Sequence, residues 1–83
     1  MSTRVKIAAA QIDVALGQVH ANLLRIEDIV AVTARAGAKL VVFPECALTG
    51  YCFNSLEEAL PYAQPVPGPA TDRLTGACIW HAV

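Results

Sequence analysis

Hydrophobic positions along this chain change period, and the changes mark its first three elements. Val5, Ile7 and Ile12, with small residues between them, predict a strand over residues 5–12 that is buried on both faces. Asp13 to Gln18 contains Gly17 and reads as a loop. From Val19 the spacing becomes helical: Val19, Leu23, Ile26, Val30 and Ala34 share one face, and Arg25, Glu27, Asp28 and Arg35 lie largely off it. Gly37 follows the last periodic turn and suits a left-handed helix end. The run Leu40 to Phe43 is too short for a helix and rich in β-branched and aromatic residues, so Lys39 to Phe43 reads as a buried strand. Pro44 has no N–H and stops it. Strand, helix, strand with short connections predicts a parallel βαβ unit and an α/β fold.

The second half is less regular. Thr49 to Phe53 is a loop carrying aromatics, and Ser55 with Glu58 three residues later has the form of a helix-capping pair. Pro61, Pro65, Pro67, Gly68 and Pro69 make a stiff, extended link. A last helix starts near Pro69 to Thr71 and runs through Leu74, Ala77 and Cys78. The segment from Ser55 onward is expected to be less securely packed than the first half.

Composition narrows the function classes. The chain has 83 residues, enough for one small domain or part of a larger one. Its hydrophobic fraction of 55% against 16% charged predicts surfaces meant to be covered by something else. No run approaches the roughly 20 apolar residues of a membrane span, and the segment at Ile7 to Ala10 is too short for a secretory core. A net charge of −1 with scattered cations argues against nucleic acid. The three cysteines show no C-x-x-C spacing, so free thiols in a reducing cytoplasm are expected.

The candidate chemistry centres on Glu45. It follows the second strand, and the carboxyl end of a parallel strand is where ligands collect in open α/β sheets. By position alone, a solvated loop charge is the commoner reading. The sharper reading is a general base, made more effective by partial burial. Cys46, Cys52 and Cys78 read as structural thiols, because neither His20 nor His81 stands at a persuasive spacing. Tyr51 and Phe53 read as loop anchors more readily than pocket walls, and Lys39 as a solvated charge. No phosphate loop, metal-ligand cluster or cofactor motif is present in the sequence.

Several linked segments together resemble the amino-terminal part of the nitrilase, or carbon–nitrogen hydrolase, superfamily. They are Ile7-Ala8-Ala9-Ala10-Gln11, then Gly17 and Asn22, then Ala36 through Lys39 and Leu40-Val41-Val42-Phe43-Pro44-Glu45. Leu48-Thr49-Gly50-Tyr51 and Pro67-Gly68-Pro69 complete the set, which reaches to about Cys78. The resemblance implies the βαβ start of a four-layer αββα sandwich, truncated before its third strand, with residues 1–83 forming a partial domain. Ile79 to Val83 departs from the family's usual approach to that strand, as a truncated or frameshifted reading frame would. A Glu–Lys–Cys mechanism on small amides or nitriles is implied, without a cofactor or metal.

Only the Glu carries over, onto Glu45, with Tyr51 as a substrate-contact candidate on the amidase-like branch. The implied Lys and Cys lie on later segments, so the 83 residues alone are expected to be inactive. Full-length relatives are expected to self-associate. Two other readings compete: a non-catalytic α/β fragment that persists by docking on a partner, and a small nucleotide-binding βαβ unit. The missing Gly-rich first turn argues against the second of these.

Overall fold

The computed structural model describes residues 3–83. Strand β1 (Ile7–Ala9) is followed by helix α1 (Val19–Arg35) and strand β2 (Leu40–Val42). A short helix α2 (Leu56–Ala59) runs into a 3-10 turn (Leu60–Tyr62), and helix α3 (Pro69–His81) comes last. The strands pair in parallel, with Ile7 opposite Leu40 and Ala9 opposite Val42. The predicted α/β class and the βαβ order are both observed.

Both strands are shorter than the sequence suggests. Pairing extends only one rung beyond the ladder at each end: the Lys39 N–H donates to the Lys6 carbonyl at 2.8 Å, and the Ala10 N–H to the Val42 carbonyl at 2.8 Å. Continued in this register, Gln11 would face Pro44, which has no N–H to give. The apolar residues at 5 and 12 therefore lie outside the ladder.

Helix α1 starts at Val19, where the period changes. It ends in a Schellman motif: the Ala38 N–H reaches the Thr33 carbonyl at 3.0 Å and the Gly37 N–H the Ala34 carbonyl at 2.9 Å. Gly37 takes a φ of 98°, the left-handed conformation expected of it. The Lys6 ammonium donates to the Ala36 carbonyl at 2.8 Å, so the entry to β1 also holds the exit of α1.

Leu23, Ile26 and Val30 of α1, together with Ala38 and Ala70, form the buried core. Val41 and Phe43 look toward α1 and α3, where they share an apolar cavity with Ile26, Val30 and Leu74. The other face of the sheet is bare. Ile7 is 59% exposed, Leu40 52% and Val42 51%. The expectation of strands buried on both faces is therefore corrected. The helices lie on one side, and among the described residues nothing covers the other. The total accessible surface is 6051 Å², against about 4,800 Å² for a closed globule of this mass.

The expectation of a loose tail holds for one part and fails for another. Helix α2 buries no residue; Ser55 caps it, its Oγ accepting from the Glu58 N–H at 3.2 Å. Helix α3, in contrast, packs on α1, buries Ala70, and carries an Arg73–Glu27 ion pair at 2.5 Å. Its first turn is tied from outside. The Gln64 Oε1 accepts from the Ala70 N–H at 3.0 Å, and the Thr71 hydroxyl accepts from the Gly68 N–H at 2.7 Å. No helix among the described residues is long and apolar enough to cross a membrane.

Candidate functional site

Pro44 ends β2, and the chain turns at once through residues 45–49. Glu45 stands at the start of that turn, beyond the carboxyl end of the strand, where the sequence placed it. The Gly50 N–H closes the turn by donating to the Cys46 carbonyl at 2.8 Å. Cys46 has a φ of 53°, a conformation uncommon without glycine, so the backbone is strained one residue from Glu45.

The chain leaving β1 forms the facing wall. Its path is held by α1: Arg25 donates to the Asp13 carbonyl at 3.0 Å. Asn22, only 5% exposed, accepts from the Ala15 N–H at 3.1 Å and donates to the Ala15 carbonyl at 2.8 Å. The same Asn22 amide donates to the Leu48 carbonyl at 2.9 Å, across to the turn that begins with Glu45. The Gly17 N–H adds a direct bond to the Thr49 carbonyl at 2.9 Å. Gly50 is buried against Leu16 with a φ of 78°.

Between the two walls lies a cleft of about 330 Å³ whose lining includes Gln11, Asp13, Leu16, Glu45 and Tyr51. That is near the lower end of small-molecule sites. The two site residues named from sequence are thus brought to one cavity. Tyr51 is 70% exposed and is a wall of the cleft, not a loop anchor. Phe53 is the anchor, stacked on Tyr62 with ring centroids 5.5 Å apart. Glu45 is exposed, which corrects the expectation of partial burial. The carboxylate stands on one rim of an open cleft, and the described residues supply only two walls.

Other candidates fall away on position. Lys39 immediately precedes β2, at the opposite end of the strand from Glu45. Cys78 is half-buried on α3, outside the cleft. Cys46 and Cys52 are exposed rather than packed. Cys52 lines the cleft, whereas Cys46 borders the neighbouring cavity. No group of three His, Cys, Asp or Glu side chains gathers to hold a metal ion among the described residues.

Sequence reasoning passed over Asn22 as a structural hinge of the site. Its signal was present: it is a polar residue between Val19 and Ile26 on the apolar stripe of α1, where a buried amide requires partners. The Glu45 carboxylate is thus exposed beside an open, partly apolar cleft, accessible to a group presented there.

Comparison with known proteins fits this geometry. The sequence pattern of the carbon–nitrogen hydrolase family matches residues 6–81. A protein of Pyrococcus abyssi (strain GE5 / Orsay) described as a nitrilase is 35% identical over 63 residues. The match covers 76% of this chain and 24% of that protein, so the chain spans about a quarter of its relative's length.

Proposed function

The chain belongs to the carbon–nitrogen hydrolase family, and we propose that it supplies the general base, Glu45, for hydrolysis of non-peptide C–N bonds in small amides or nitriles. The observation that carries this reading is the position of Glu45 on the rim of a cleft at the carboxyl ends of both strands. The thiol and ammonium groups that complete the reaction come from polypeptide outside these 83 residues. There the β-sheet also gains the partners of a four-layer sandwich, and the bare face around Leu40 and Val42 is covered.

In this scheme the Glu45 carboxylate removes the thiol proton, and the thiolate attacks the amide or nitrile carbon. The ammonium group stabilises the charge that develops on the substrate oxygen or nitrogen. An amide expels ammonia or an amine as the thioester forms; a nitrile first forms a thioimidate and releases ammonia after adding water. Glu45 then accepts a proton from the water that releases the acid product. Tyr51, projecting into the same cleft, contacts the substrate, and the Thr49-Gly50-Tyr51 segment favours amides over nitriles. The enzyme works in the cytoplasm, where its thiols stay reduced.

The test is ammonia release from small amides and nitriles by the polypeptide that carries this segment together with its thiol and ammonium partners. Glu45→Gln keeps size and loses the base, and is expected to lower kcat by about 100- to 10,000-fold. Activity within about threefold of the parent would overturn the assignment. The 83-residue chain by itself is expected to release no ammonia. Turnover by it that depends on Glu45 would overturn the claim that the partners lie elsewhere while leaving the base in place.

A further inference from the structure

We propose that Asn22 is a positioning residue for Glu45, setting the width and rigidity of the cleft by tying its two walls to one buried amide. The proposal rests on the reading of Glu45 as the base. Asn22 sits on the first turns of α1, and its side chain hydrogen-bonds to both the loop after β1 and the turn after β2. The loop after β1 meets its Oδ1 and Nδ2 at Ala15, a two-bond clasp that fixes the amide's orientation. With that orientation set, the second Nδ2 hydrogen is aimed at Leu48, three residues beyond Glu45.

The chemistry is specific to a carboxamide. Ala15 offers both a donor and an acceptor, and Leu48 offers an acceptor. An ionised carboxylate satisfies the donor and faces two carbonyl oxygens with none of its own protons. An apolar side chain satisfies none of the three. Burial makes the difference felt, because water does not readily replace the lost partners. The direct Gly17 to Thr49 bond runs beside the amide and depends on the same alignment of the two loops. Glu45 therefore inherits its place from α1, through Asn22 and the turn, and not from β2 alone.

The experiment is residue-resolved amide hydrogen exchange on the 83-residue chain, with the Glu45 carboxyl carbon resonance recorded alongside. Asn22→Ala removes the amide; Asn22→Leu restores bulk on the buried face without restoring hydrogen bonding. In both variants the Ala15, Gly17 and Gly50 amides are expected to exchange about tenfold faster or more, measured against the Ile26 and Val30 amides of α1. The Glu45 carboxyl resonance is expected to move in both. A purely packing role predicts otherwise: Asn22→Leu would recover the loop amides and the Glu45 signal, and that result overturns the proposal. Unchanged loop exchange in Asn22→Ala overturns it as well. Neither readout requires catalysis, so failure of the Glu45 assignment by kinetics is separable from failure of this one.

Discussion

Gly50→Ala tests whether the cleft depends on close approach of its two walls. Two costs add. Gly50 has a φ of 78°, and a left-handed conformation costs an alanine about 1–2 kcal/mol. A Cβ at this position would also lie 2.9 Å from Leu16 Cδ1 and 3.2 Å from Leu16 Cα. The first contact can relax by rotation, but the second is backbone and cannot, and such overpacking costs about 1–3 kcal/mol. The expected total is about 2–5 kcal/mol, a large share of the roughly 4–12 kcal/mol available to a domain of this size.

Urea unfolding followed by far-ultraviolet circular dichroism measures the loss. Trp80 is already 84% exposed and makes a poor fluorescence probe. The Leu16→Ala background separates the two costs. Removing the Leu16 side chain relieves the Cδ1 contact, so Gly50→Ala should cost less there, by about 0.5–1 kcal/mol, but the conformational part should remain. A cost below about 0.5 kcal/mol in the parent would show that the turn is not held where the structure places it.

Three further outcomes are expected. A double-mutant cycle on Arg73 and Glu27 should give a coupling of only about 0.2–1 kcal/mol, because both side chains remain partly open to solvent; a value above about 2 kcal/mol would refute that screening argument. A thiol reagent under native conditions should modify Cys46 and Cys52 before Cys78, since the first two are exposed and the third is half-buried; equal rates at all three would mean that α3 does not stay docked on α1. Val42→Lys should reduce self-association of the 83-residue chain in sedimentation, because it places a charge in the bare apolar face; unchanged association would locate the sticky surface elsewhere.

The parts of the fold that were legible in the sequence are those specified locally. The start of α1 at Val19, the left-handed Gly37 and the Ser55 cap each depend on residues within a few positions of one another. Glu45 was placed correctly because Pro44 dictates the end of a strand regardless of context. The exposure of Glu45 and of Leu40 and Val42 was not legible, since burial depends on what else is present to cover them. The Gln64 bond to Ala70 and the Asn22 bond to Leu48 were hidden for a different reason. Each spans a gap that no helical or strand period encodes. The left-handed Cys46 had no signal at all, since nothing about cysteine favours that conformation.

Lys6 has a consequence in time. It presents its carbonyl to the Lys39 N–H at the start of β2 and its ammonium to the carbonyl of Ala36, the residue that caps α1. The groups that shut the first crossover thus all lie between Lys6 and Val42, ahead of the Pro-rich link in order of synthesis. That loop can close while the Pro-rich link is still being made, and α3 then arrives at a finished surface. Pulse labelling during refolding should find the Lys39 amide sheltered earlier than those of α3, and the reverse order would show that the late helix builds the crossover instead.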